Sequence, residues 1–262
     1  MEGKSGSMKQ KAVCYSGSDS EEDRGELSGI LLEKLSLGPR KKLLVFAPGV
    51  LCHRIRFFNK EKPKNCTPDA TFGSILVYKR PHCEDFMKFC FERFEGGVWS
   101  SAIEKNLNNA LDCVMGRLKS KLLFVWGQEY CTDSGFKTLE NSNKPVFLKE
   151  VKKLWEEIGN SSRNKYSLLN TLLIDDEPYK ALLNHPHSAI FLNEYKAGEK
   201  DVDDVLGPNG ELRQFLYGLA ETDDVPSYVK ENNLGIGQPA ITPSHPDWRF
   251  YSKIIKFWSG KD

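Results

Sequence analysis

Two adjacent acids, Asp175 and Asp176, close the apolar run Thr171-Leu172-Leu173-Ile174, and Ser100 closes the short run Gly97-Val98-Trp99. A carboxylate pair at a strand terminus can hold Mg²⁺ or cap the turn that follows. A hydroxyl at a strand end is a common cap. The first apolar run, Leu43-Leu44-Val45-Phe46, differs. It leads into a tight turn, Ala47-Pro48-Gly49-Val50-Leu51, and no Asp or Glu occurs anywhere between Glu33 and Glu61. Chemistry that needs a carboxylate at the end of this strand is excluded, whatever gaps an alignment allows.

Beyond Arg40 the chain alternates apolar runs with amphipathic stretches. Ser74–Tyr78, Gly97–Ser100, Leu122–Trp126 and Thr171–Ile174 read as strands. Helices are expected around Phe86, Phe89, Cys90 and Phe94, over Ile103–Leu118 and over Leu148–Ile158. Cys131–Pro145 reads as a polar, turn-rich excursion. This alternation predicts an α/β fold, a Rossmann-like parallel sheet with helices on both faces. In such sheets functional groups gather at the carboxyl ends of the strands. Trp99, Trp126 and Trp155 are expected in the core.

Ahead of that region, residues 1–25 are rich in Gly, Ser, Lys and Glu and are expected to be disordered, with the folded domain at 26–262. Ser18-Asp19-Ser20-Glu21-Glu22-Asp23 reads as a solvated acidic tract or an acidophilic kinase site. Leu27, Ile30, Leu31 and Leu35 have helical spacing.

The charge balance, Lys+Arg 37 against Asp+Glu 36, gives no sign of nucleic-acid or anionic-membrane attraction. No apolar run nears the ~20 residues that span a bilayer, and the amino terminus has neither a secretory core nor an Arg-rich transit pattern. The expected location is the nucleus or cytoplasm. The seven cysteines include no C-x-x-C pair, which favours free thiols over a zinc site or a disulfide framework. His185-Pro186-His187 reads as a loop end.

Four segments together resemble the haloacid-dehalogenase-like phosphatases, in the FCP/SCP carboxy-terminal-domain branch (NLI-interacting-factor-like), over roughly Lys41 to Leu219. The strand and turn Leu43–Leu51 stand where that family has D-x-D-x-T-L. Lys79-Arg80-Pro81…Phe86…Phe94-Glu95…Val98-Trp99-Ser100-Ser101 is similar to its R-P-G…F…F-T-A-S run. Phe147-Leu148-Lys149-Glu150-Val151 resembles its K-D-L helix start, and Leu173-Ile174-Asp175-Asp176-Glu177-Pro178 its L-D-N-S-P. The stretch 122–148 corresponds to a small β insert.

The resemblance implies roles. Ser100 and Lys149 would bind phosphate, and Asp175 and Asp176 would form a weak, vestigial Mg²⁺ site. An Asp nucleophile would attack the ester and a second Asp would act as acid and base. A gapless alignment puts Ala47 and Gly49 at those two positions; a one-residue deletion puts Ala47 at the first and removes the second. Either way the nucleophile and the acid are gone, and Mg²⁺ is expected to bind weakly if at all. The implied function is a pseudophosphatase that binds a protein partner through the old cleft, including an acidic or phosphorylated segment, with no nucleic-acid or membrane partner. The alternatives are an active Mg²⁺-dependent phosphoserine phosphatase with another nucleophile and an import-receptor-like scaffold.

Overall fold

The computed structural model describes residues 41–64, 66–159, 166–199, 203–232 and 237–260. The expectations for residues 1–25, the acidic tract and the leucine-spaced helix fall outside them.

Strand β1 (Leu43–Phe46) is wholly buried. It lies between β5 (Glu95–Trp99) and β9 (Thr171–Asp175), parallel to both. The sheet continues through β10 (Ala189–Leu192) to the antiparallel edge strand β11 (Gly237–Gln238) on one side, and to β6 (Val125–Trp126) on the other. Period-2 alternation divides β1 between two cores. Leu44 and Phe46 pack among residues of α2 (Cys83–Arg93), α3 (Glu104–Met115) and α5 (Glu211–Ala220), whereas Leu43 and Val45 pack with Trp99, Trp126 and, from α4 (Val151–Gly159), Val151 and Leu154. A strand buried on both faces reads as a continuous apolar run, as this one does. The architecture is the expected α/β sheet with helices on both faces.

Two details depart from the sequence reading. Ser74–Tyr78 does not join the parallel sheet. Its strand β4 (Ile75–Lys79) pairs antiparallel with β2 (Cys52–Arg56) and β3 (Ala70–Phe72) in a separate sheet. Helix α3 stops at Met115, because Gly116 adopts φ 52° and a 3-10 turn follows to Lys121, so only Val125 and Trp126 of the next run pair as a strand. The polar excursion contains a hairpin, β7 (Thr132–Lys137) with β8 (Pro145–Leu148), within the stretch expected to form a small β insert. Its apolar alternation is hidden by a register irregularity between Asp133 and Lys137 that includes Gly135 at φ 79°.

Helix α7 (Trp248–Ser259) closes a third cluster, in which Tyr251 and Ile254 meet Val146 and Leu148 of β8 and Tyr179 of the turn after β9. This cluster backs the two segments that carry the lysines described next.

Candidate functional site

The turn after β1 begins one residue beyond the Phe46–Ile174 and Phe46–Val98 pairings, so Ala47 ends its strand beside the ends of β9 and β5, where Asp175 and Ser100 lie. The Ala47 amide donates to the Ile174 carbonyl at 2.8 Å. Pro48 then starts a single helical turn, α1 (Pro48–Leu51), as its fixed φ suits that position. Ala47, Ser100 and Asp175 therefore share the carboxyl edge of the sheet, and all three are buried.

Lys149 follows β8 directly. Its amide donates to the Lys180 carbonyl at 2.8 Å, and the Asn184 side chain bonds both the Lys149 carbonyl and the Val151 amide. Thus clamped, Lys149 directs its ammonium to Asp175 Oδ2 at 2.5 Å, with both side chains fully enclosed. Asp175 Oδ1 accepts from the amides of Asp176 and Glu177 at 2.8 and 3.1 Å. Burial by itself would raise the Asp175 carboxyl, but Lys149 and Lys180 hold it below the usual carboxylate range.

Sequence reasoning missed Lys180. Pro178 opens a 3-10 turn, Pro178–Ala181, which carries Lys180 back over the acids that precede it. Its Nζ lies 2.7 Å from Glu177 Oε2, 3.4 Å from Asp175 Oδ1 and 4.0 Å from Asp176 Oδ1, and only 6% of its side chain is exposed. Glu177 also bonds Lys144 at 2.5 Å. Burial opposes ionisation of Glu177, yet Lys180 and Lys144 bring its carboxyl down to about 2. Asp176 goes the other way. Burial, with Asp175 and Glu177 nearby, pushes it up to about 6 against the pull of Lys180. The available signal was the i+3 spacing of Glu177 and Lys180 after three consecutive acids, which mere helical propensity does not single out.

These groups border a cavity of about 180 Å³ lined by Gly49, Cys52, Arg54, Ser100, Ser101 and Lys144, together with Asp176, Glu177, Lys180 and Glu194. Lys149, expected to face the cleft, is enclosed behind it on Asp175; Lys180, Lys144 and Arg54 are the cations on the wall. The Ser100 hydroxyl accepts from the Ala102 amide at 3.0 Å and so caps its own turn while bordering the cavity. At Gly49 a Cβ would stand 2.0 Å from Asp176 Oδ2, so the Asp176 carboxylate fills the space that a side chain there would need.

The acids do not fit a divalent metal. Mg²⁺ wants oxygens at ~2.0–2.1 Å in an octahedron, but here the Lys180 ammonium sits among the three carboxylates. Among the described residues, no group of three or more His, Cys, Asp or Glu side chains is arranged to hold a metal ion.

A profile of the NLI interacting factor-like phosphatase family matches residues 49–226, about two-thirds of the chain. The chain belongs to the NLI interacting factor-like phosphatases. Within this family the match begins at Gly49, inside α1, and takes in the β2–β4 sheet, Ser100, Lys149 and Asp175–Glu177. An FCP1 homology domain-containing protein of Schizosaccharomyces pombe is 27% identical over 122 residues, covering 45% of this chain and 48% of that protein. A probable C-terminal domain small phosphatase of Dictyostelium discoideum is 25% identical over 165 residues, covering 63% of this chain and 45% of that protein. The chain thus spans about half the length of the curated relatives it matches. Among solved structures, fission yeast Fcp1, an RNA polymerase II CTD phosphatase, aligns in its beryllium-fluoride-bound form with a TM-score of 0.39 at 12% identity, over 92% of this chain and 67% of that one. Among the described residues no helix is long and apolar enough to cross a membrane.

Proposed function

We propose that this member of the family is a pseudophosphatase, a phosphatase fold that works as a protein-binding module. One observation carries the reading: no carboxylate enters the cleft from the turn after β1, where Ala47 ends the strand and Asp176 fills the space beside Gly49. Hydrolysis, which the relatives' names suggest, needs an attacking group and an acid. Two of the other candidates for attack, Asp175 and Cys52, are unavailable. Both Asp175 oxygens are bonded, and burial pushes the Cys52 thiol up to about 11, so it stays protonated at neutral pH.

What the cleft offers is a set of donors. Arg54 has no carboxylate partner among the described residues, and it borders the cavity with Lys144, Lys180 and the hydroxyls of Ser100 and Ser101. The partner is a protein with an acidic or phosphorylated segment. Charge-assisted hydrogen bonds contribute about 1.5–3 kcal/mol each, and Asp176, Glu177 and Glu194 offset part of that gain. The cleft alone should bind in the millimolar to micromolar range, so useful affinity needs added surface contact. We assign the working compartment to the nucleus or cytoplasm, which suits the free thiols at Cys52, Cys66, Cys83, Cys90, Cys113 and Cys131.

Fluorescence anisotropy with a labelled phosphoserine peptide tests this role. Binding is expected to be the same with Mg²⁺ and with chelator, and Arg54→Ala should weaken it about tenfold, as loss of one charge-assisted contact would. An absolute requirement for Mg²⁺, or an Arg54→Ala variant that binds as tightly as wild type, would count against it.

A further inference from the structure

We propose that the Lys180 ammonium is the resident cation of this site and takes the place of a divalent metal. Three observations support this. The first is position. Lys180 Nζ is within 2.7, 3.4 and 4.0 Å of carboxylate oxygens from Glu177, Asp175 and Asp176, three successive residues at the carboxyl end of β9. A cation held by the end of this strand would have to meet the same oxygens.

The second is charge. Asp175, Asp176 and Glu177 are matched by Lys149, Lys180 and Lys144, each ammonium within 4.0 Å of a carboxylate of the trio. The cluster is neutral as it stands. A divalent ion would bring two uncompensated charges into a region where Asp175 and Lys149 are fully enclosed and Lys180 nearly so, and where charges interact strongly.

The third is that Lys180 is fixed from both sides. Its amide donates to the Glu177 carbonyl at 3.1 Å and its carbonyl accepts from the Lys149 amide at 2.8 Å. The neighbouring Tyr179 ring stacks on Tyr251 of α7 with centroids 6.0 Å apart. The main chain of the turn therefore stays in place unless α7 unpacks from β8, and the ammonium is held in the site by its contacts to the three carboxylates. The inference deepens the binding role proposed above and rests on it only for its consequence, ligand binding without metal. Metal occupancy is measured without ligand, so the two can fail separately.

The test is Mn²⁺ titration of the full chain, followed by the electron paramagnetic resonance signal of free Mn²⁺, with thermal unfolding in Mg²⁺ as a second readout. Wild type should show no saturable site and no Mg²⁺-dependent change in Tm. Lys180→Ala and Lys180→Gln open a gap faced by three carboxylates and should each gain a saturable Mn²⁺ site, with a Tm that rises in Mg²⁺. A variant that folds only when Mg²⁺ is present also supports the proposal. Folded variants that gain no Mn²⁺ site would overturn it. Saturable Mn²⁺ binding by wild type would overturn it whatever the variants do, and this arm decides the matter if neither variant folds.

Discussion

Lys149→Met is expected to cost the domain about 3–5 kcal/mol, the range found when one partner of a buried ion pair is removed. For a domain of this size that lowers Tm by roughly 6–20 °C, at ~2–4 °C per kcal/mol. The ammonium sits 2.5 Å from Asp175 Oδ2 with neither side chain exposed, so its loss leaves an enclosed carboxylate oxygen without its partner. Lys180 already bonds the other oxygen, Oδ1, at 3.4 Å, so the variant keeps one cation on Asp175 and the loss should fall toward the lower end of that range. The double variant Lys149→Met/Asp175→Asn removes both charges and keeps an acceptor for the Asp176 and Glu177 amides, so it should recover part of the loss. Thermal unfolding of the four proteins gives the coupling energy. The sign with pH is fixed by Asp175. Its carboxyl is held below the unfolded value of 3.8, so the pair stabilises the fold above that value. The gap between wild type and Lys149→Met should narrow as the pH falls below it. A single variant within about 1 kcal/mol of wild type would show that the pair stabilises no more than an exposed one.

Rebuilding one acid should not rebuild an enzyme. Ala47→Asp supplies a carboxylate at the end of β1 but no acid for the leaving group, an omission that alone costs ~10²–10⁴-fold. It also sets a new anion beside Asp175 with Lys149, Lys180 and Lys144 already matched to the three acids, so the new carboxylate will be disfavoured in its charged form. Adding Gly49→Asp meets a second obstacle, because its Cβ would fall 2.0 Å from Asp176 Oδ2 and the Asp176 side chain would have to leave. Both Ala47→Asp and Ala47→Asp/Gly49→Asp are expected to release phosphate from a small aryl phosphate at the background rate in Mg²⁺. The double variant should also unfold at a lower temperature than the single one. Turnover gained by Ala47→Asp alone would mean that the missing nucleophile is the sole defect.

The central sheet was legible because its strands announce themselves. Leu43–Phe46 and Thr171–Ile174 are continuous apolar runs, as strands buried on both faces must be, and both fall within the strands observed. The β2–β4 sheet was less legible. Cys52-His53-Arg54-Ile55-Arg56 mixes polar and apolar residues, and antiparallel pairing with Ile75–Lys79 across a long connection leaves no local trace. At the site, the absence of acids around Ala47 could be read from the sequence outright, since an absence does not depend on geometry. The partners of the remaining charges could not. Lys149 and Lys180 are far apart in sequence, and they meet at Asp175 only because the Lys149 amide bonds the Lys180 carbonyl. Lys180 borders the cavity and Lys149 lies behind it, an arrangement set by tertiary placement and not by any local motif.

The most direct measurement is phosphate release by the wild-type chain from a phosphoserine peptide, with Mg²⁺ and with chelator, beside an Asp175→Asn control. Release at the uncatalysed rate in every condition is expected, because neither Ala47 nor Gly49 provides an attacking or a proton-donating group. Robust Mg²⁺-dependent release that Asp175→Asn abolishes would contradict it.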